Sequence, residues 1–244
     1  MSSSKISNNE ILARAESFPG MCAGIARLED VLKGPSYGAF LKDKWSSSLL
    51  EEPPLGAWPE GAKTALVLGL NHPEGEPELD WWYKGNSDGN RRLIEAAESM
   101  KRWLKESCNV DAFPLPYHVE KGGLFLKDAA VMAGVGIIGQ NNLLLHKEWG
   151  PQIRLRAILL QGHLDPGPRK EDFSPCENCH RPCRNACPQG AFESGTYDRS
   201  RCFKQIEYDV RNKMEAQVTM GTERPELVVK YCRACELACP LGGR

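Results

Sequence analysis

The chain has 244 residues, 41% of them hydrophobic and 26% charged, with a formal net charge of −1. Its isoelectric point near 6.5 and mean hydropathy of −0.45 exclude a whole-molecule field that would attract nucleic acid, and no run is long and apolar enough to span a membrane. That length accommodates one substantial core plus a small second module, and the opening MSSSKISNNEILARAESF has no apolar leader, so a reduced, cytoplasmic protein is expected.

Ile11, Leu12, Ala15 and Phe18 recur at helical spacing over 8–18, and the short apolar stretch 23–28 reads as a strand. The Ser-, Glu- and Pro-rich segment 46–59 predicts an exposed loop. It leads into 64–70, apolar on both faces as an interior strand is. Segment 71–90, dense in Pro, Gly, Asp and Glu, predicts irregular, partly mobile chain in which Trp81, Trp82 and Tyr83 form a lid. A stripe of Leu93, Ala96, Ala97, Met100 and Leu104 predicts an amphipathic helix over 91–107. A strand over 111–117, a short helix over 124–132 and a long apolar strand over 153–161 follow. The turn-rich stretch 162–175 reads as a linker, dividing the chain into domains 1–165 and 166–244. Beyond it, 203–217 and 226–231 read as helices that space the cysteines.

Eight of the ten cysteines lie between Cys176 and Cys239. One run is Cys176-x2-Cys179-x3-Cys183-x3-Cys187-Pro188 and the other Cys232-x2-Cys235-x3-Cys239-Pro240, with Cys202 between them. Three closely spaced thiolates cap three corners of a cubane, and the cysteine before proline reaches toward the other cluster, as in two-cluster ferredoxins. The expected division is Cys176, Cys179, Cys183 and Cys239 around one 4Fe-4S cluster, and Cys187, Cys202, Cys232 and Cys235 around the other. Structural zinc needs no Cys-Pro endings and no interleaved runs, and disulfides need an oxidising compartment. One irregularity stands: His180, Arg181 and Pro182 make a three-residue spacer where the usual bacterial run has two.

Gly134-Val135-Gly136-Ile137-Ile138-Gly139 matches the dinucleotide fingerprint in letters only, because a helix-like segment runs into it and polar Gln140, Asn141 and Asn142 follow. Two readings remain: a plain glycine-rich turn, or backbone bared so that a large flat group lies against it. Cys22, Cys108 and Trp149 read as packing residues. His72, His146 and His163 stand without the spaced partners of a metal site.

Residues 117–145, YHVEKGGLFLKDAAVMAGVGIIGQNNLLL, together with the cysteine pattern through Pro240 and the Arg201-Cys202 step, resemble the epoxyqueuosine reductases and, more distantly, the cobalamin-binding reductive dehalogenases, from about Gly20 onward. The resemblance implies an α+β protein: an α/β-type, nitroreductase-like cobalamin-binding domain followed by a ferredoxin-like domain with two 4Fe-4S clusters. It implies that Gly134, Val135, Gly136, Ile137, Ile138, Gly139, Gln140 and Asn141 contact the corrinoid, with no histidine on its cobalt. It also places an acid just upstream of the glycines, here Glu120, as the proton donor. A carboxyl group desolvated beside a buried planar cofactor suits that role; the alternative is a solvated charge beside Lys121, with Tyr117 and His118 as substitute acids.

Two departures bear on the substrate. Asp88-Gly89-Asn90 stands where that family carries Asp-Tyr-His, and the sequence stops at Arg244, short of the helical-repeat extension that many of those enzymes use to hold tRNA. The expected function is a cobalamin- and cluster-dependent reductase, fed by reduced ferredoxin or flavodoxin and acting on a small molecule or a modified nucleoside, with little support for tRNA in the charge. The alternatives are a ferredoxin-like protein that reduces a partner's corrinoid, and, more weakly, a cluster-based redox sensor.

Overall fold

The computed structural model describes residues 6–42, 58–162, 164, 166, 172–218 and 224–242. Most of the loop expected over 46–59 and much of the linker expected over 162–175, with His163, lie outside the described residues. Contacts divide the chain into two units with interleaved sequence: Met1–Leu70, Leu93–Gly136 and Leu155–Glu171 in one, and Asn71–Arg92, Ile137–Arg154 and Asp172–Arg244 in the other.

The first unit opens on α1 (Asn8–Glu16), started by a capping box in which the Ser7 hydroxyl accepts the Glu10 N–H and the Glu10 carboxylate accepts the Ser7 N–H at 2.9 Å. Its sheet has the order β1-β2-β6-β3, made of β1 (Met21–Arg27), β2 (Ala62–Asn71), β3 (Ala112–Pro114) and β6 (Ile153–Gln161). β1 runs antiparallel to β2, from Met21 opposite Leu70 to Arg27 opposite Thr64. β3 is shorter than 111–117 because Pro114 and Pro116 bring no N–H to the ladder.

One face of the sheet is covered by α1 and by α4 (Asp88–Cys108). Leu93, Ala97, Met100 and Leu104 pack with Ile11, Ile25, Leu66, Leu68 and Ile158 in one buried cluster. Cutting such a side chain back, as in Leu104→Ala, costs about 2–5 kcal/mol. Following α2 (Leu28–Val31) and α3 (Pro35–Lys42), α5 (Leu126–Met132) packs on β1. Gly24 is required at that contact, since a β-carbon there would collide with the Ala133 carbonyl. The buried Asp128 of α5 accepts from the Ser36 N–H at 2.8 Å and its hydroxyl at 3.0 Å, tying α3 to α5.

The second unit holds the hairpin β4 (Ile137–Ile138) and β5 (Leu144–Leu145), the short α6 (Pro182–Asn185), α7 (Arg199–Arg211), the pair β7 (Met214–Ala216) and β8 (Glu226–Val228), and α8 (Ala234–Leu237). Three expectations are corrected here. The helix expected over 226–231 is a strand, because Leu227 at 58% exposed alternates with Val228 at 0%, a period of two that pairing with β7 completes. The helix expected over 203–217 starts earlier, at the Asp198 cap that accepts from Ser200 N–H at 2.8 Å, and stops at Arg211 so that 214–216 can enter β7. The aromatic lid is no lid: Tyr83 and Trp81 pack with Val218, Val228 and Ala216 as this unit's own core, and Trp82 pairs with Val229. Among the described residues no helix is long and apolar enough to cross a membrane.

Candidate functional site

All eight cysteines of the two runs lie in the second unit, in two sets. Cys176, Cys179, Cys183 and Cys239 line one cavity with Gln140, Asn141 and Leu145. The extra spacer residue is absorbed by Arg181, which takes a left-handed φ of 57° as the N-cap of α6, so that Pro182 starts the helix and Cys183 is buried in its first turn. Burial pushes the Cys183 thiol up, and the sulfurs of Cys239, Cys176 and Cys179 push in the same direction. Cys239 is raised by burial and again by Cys176 and Cys179.

The other set follows the same logic. Burial raises the Cys232 thiol with Cys187 and Cys202 contributing, and burial takes Cys235 to about 12 with Cys232, Cys202 and Cys187 contributing. Each run thus sends its Cys-Pro cysteine to the other run's set. Crowded, partly buried thiols resist ionisation, and a cationic metal among them would favour the thiolates. Backbone amides already point at the sulfurs: Arg181 N–H donates to Cys179 Sγ at 3.4 Å and Ala191 N–H to Cys187 Sγ at 3.3 Å. Such bonds stabilise cluster sulfur. Among the described residues no group of three or more His, Cys, Asp or Glu side chains is arranged to hold a metal ion.

The glycine segment resolves into separate local needs. Gly134, at φ 73°, ends α5 in a Schellman arrangement, its N–H bonded to Val131 O at 3.1 Å and the Val135 N–H to Ala130 O at 2.9 Å. Gly139 lies in the β4–β5 hairpin, where a β-carbon would crowd the Leu145 side chain. A helix enters the glycines and a hairpin leaves them, the reverse of a dinucleotide fingerprint. Val135 is buried, Ile138 is 40% exposed, Gln140 is exposed, and Asn141 is buried with its amide donating to Cys235 O at 3.2 Å. Gln140 and Asn141 therefore belong to the sulfur cavity.

Glu120 sits in the one-turn 3-10 helix Val119–Lys121 with its side chain 52% exposed, 3.3 Å from His118 Nδ1. The protein by itself leaves this carboxyl half in solvent. Its loop is held by Trp58 Nε1, which donates to Gly122 O at 2.8 Å, and by Gly123 N–H on His118 O at 2.9 Å. Tyr117 is exposed.

The sequence marks His72 only as a histidine without the spaced partners of a metal site. It is fully buried, with Nδ1 2.8 Å from Asp80 Oδ1. Its ring fills the space beside Gly89, where a β-carbon would collide with Cε1 and Nε2. That is a physical reason for glycine in Asp88-Gly89-Asn90. The signal lay in the pairing of a large ring at 72 with the missing side chain at 89, which only spatial contact reveals.

No family model matches the chain. It is 27% identical over 196 residues to the epoxyqueuosine reductase of Lactococcus garvieae, covering 74% of this chain and 52% of that protein. With that of Synechocystis it shares 26% over 191 residues, covering 75% and 64%. The chain thus spans about half to two thirds of the length of the curated relatives it matches. The solved epoxyqueuosine reductase of Bacillus subtilis, whose aspartate-bearing catalytic loop is swung out of its active site, superposes with a TM-score of 0.65 at 20% identity, over 96% of this chain and 64% of that one. The Streptococcus thermophilus enzyme gives 0.67, also at 20%, over 95% and 65%. A variant of the catabolic reductive dehalogenase NpRdhA gives 0.61 at 17%, over 98% of this chain and 32% of that one. The chain is thus similar in sequence to epoxyqueuosine reductases and shares a mixed α/β fold with the solved ones and with a reductive dehalogenase.

Proposed function

We propose that the chain is a cobalamin- and iron–sulfur-dependent reductase of the epoxyqueuosine reductase kind. The observation that carries this reading is the exchange of Cys187 and Cys239 between two sets of four thiols in the second unit. In this reading Cys176, Cys179, Cys183 and Cys239 hold one 4Fe-4S cluster, and Cys187, Cys202, Cys232 and Cys235 the other. Amide donors at Cys179 and Cys187 stabilise the sulfur charge that builds up on reduction. Gly134, Val135, Gly136, Ile137, Ile138 and Gly139, with Gln140 and Asn141, would contact a corrinoid, the glycines leaving room for its ring. A bound corrinoid supplies a strong low-potential nucleophile. Glu120 holds the proton that the reduced substrate takes up, and His118 Nδ1, at 3.3 Å, keeps the carboxyl oriented.

A solved epoxyqueuosine reductase is bound to an epoxyqueuosine-modified tRNA stem loop; by that analogy the substrate is a modified nucleoside, with small organohalides as the second class to try. The electron donor is a reduced ferredoxin or flavodoxin. Anaerobic protein should contain about eight iron, eight sulfide and one cobalt per chain. Glu120→Gln should keep all three yet turn over roughly a hundredfold slower, the scale of general acid catalysis, and Glu120→Asp should lose less. Stoichiometric zinc, or about four iron, overturns the two-cluster reading. Eight iron without retained corrinoid leaves instead a ferredoxin-like protein that reduces a partner's cofactor.

A further inference from the structure

Beside the second cysteine run the second unit holds a closed, partly buried network of charge. Arg233, between Cys232 and Cys235, donates Nη2 to the His72 carbonyl at 2.7 Å and to Glu236 Oε1 at 2.5 Å. Its Nη1 lies 2.9 Å from Asp80 Oδ2 as an ion pair without hydrogen-bond alignment. Arg154 closes the ring, donating Nε to Asp80 Oδ1 at 2.8 Å and Nη2 to Glu236 Oε2 at 2.7 Å. Two carboxylates and two guanidiniums cancel, so the state of His72 sets the sign of the whole network.

His72 is the member able to change. Burial pushes the Asp80 carboxyl up, but His72, Arg154 and Arg233 outweigh it and hold the group down at about 2. Burial also opposes the charge of Arg154, yet Glu236 and Asp80 keep it above its ordinary value. Asp80 and Arg154 therefore stay charged at any physiological pH. The imidazole is lowered by burial first; Asp80 opposes this, while Arg154 and Arg233 add to it. From the α4 side it meets the Gly89 backbone in the helix's first turn, whose dipole also disfavours a cation. The other charged groups of that turn, Asp88 and Arg91, are 2.9 Å apart and engage Tyr83, with the Asp88 carboxylate accepting from the Tyr83 hydroxyl at 2.5 Å. Neutral His72 gives its Nδ1 proton to Asp80, which leaves Nε2 as the lone pair. That atom is buried with no hydrogen-bond partner among the described residues.

We propose that His72 is a positioning residue for electron entry: when the cluster held by Cys187, Cys202, Cys232 and Cys235 accepts an electron, Nε2 accepts a proton from solvent. The step balances. One electron arrives from the one-electron donor, one proton from water, and the network passes from neutral to a single positive charge facing the added negative charge. No bond other than N–H forms. A negative charge arriving next to Arg233 favours the imidazolium that burial otherwise disfavours. This rests on the two-cluster reading above, and iron analysis separates the failures: protein without about eight iron defeats that reading, whereas fully loaded protein can still defeat this one.

The experiment is a redox titration of anaerobic, iron-loaded protein from about pH 5 to about pH 9, followed by electron paramagnetic resonance of each cluster. The potential of one cluster should fall with rising pH, by up to about 59 mV for each tenfold change in proton activity, and the other should be flat. In His72→Gln the slope should vanish while about eight iron remain. His180→Gln, which removes the imidazole of the Cys179–Cys183 spacer, should leave it in place. If His72→Gln does not assemble, the quadruple variant of His118, His146, His163 and His180 to Gln leaves His72 as the sole imidazole, and the slope should persist. Two flat clusters in the unmutated protein, a slope lost with His180 but kept without His72, or a flat quadruple variant each overturns the proposal.

Discussion

The buried side-chain amide of Asn141 donates to the backbone carbonyl of Cys235 at 3.2 Å, so the end of the glycine segment is tied to the loop between two cluster-run cysteines. The same side chain accepts from Leu143 N–H at 3.3 Å, which shapes the hairpin turn. Asn141→Asp puts a carboxylate oxygen against a carbonyl and should cost more than Asn141→Ala, which loses two hydrogen bonds and about 1–3 kcal/mol. Chemical denaturation followed by cluster absorbance checks the order, and equal stability of the two variants would contradict it.

The crossed cysteines make a prediction that a simple two-run arrangement does not. Cys239→Ser should disturb the cluster of Cys176, Cys179 and Cys183, and Cys187→Ser the cluster of Cys202, Cys232 and Cys235, each leaving about four iron well bound. Spectra of the two variants should be complementary. Damage confined to the mutated run in either case shows the sets to be wrongly divided.

The glycines should separate into a folding role and a binding role. Gly134→Ala forces a β-carbon into a left-handed residue and should destabilise the first unit by about 1–2 kcal/mol. Gly136→Val should leave melting and iron content near those of the unmutated chain but abolish cobalt retention, because its side chain occupies volume beside bare backbone. Cobalt analysis beside calorimetry distinguishes them.

Asp80 predicts the response to acid. Its carboxyl is held down to about 2 from 3.8 and its side chain is 12% exposed, so the folded state binds this proton more weakly than the unfolded chain. The stability it contributes, on the order of 2 kcal/mol, is complete well above pH 4 and is lost as pH falls toward 2. His72, lowered by burial, acts in the same direction from below its ordinary value of 6.5. Asp80→Asn should lower stability at neutral pH and flatten the acid limb in a pH series of denaturant melts; an unchanged limb would remove Asp80 as its source.

Local chemistry was legible in the sequence. The two Cys-Pro runs stand out because spacing on a tight loop is a local feature, and the apolar runs at 64–70 and 153–161 announced interior strands because burial on both faces leaves no polar positions. The Schellman end at Gly134 followed from a helix meeting a glycine. What needed the tertiary structure was everything set by contact between distant segments. Short stretches such as 226–228 become strand because a partner at 214–216 offers hydrogen bonds, and Trp81 and Tyr83 become core because Val218 and Val228 arrive to cover them. Asp80, Arg154, Arg233 and Glu236 have no spacing that marks them as a set. Arg233 and Glu236 are neighbours on one turn, but Asp80 and Arg154 meet them and each other only when the chain closes, and a charge is costly to bury without such a partner.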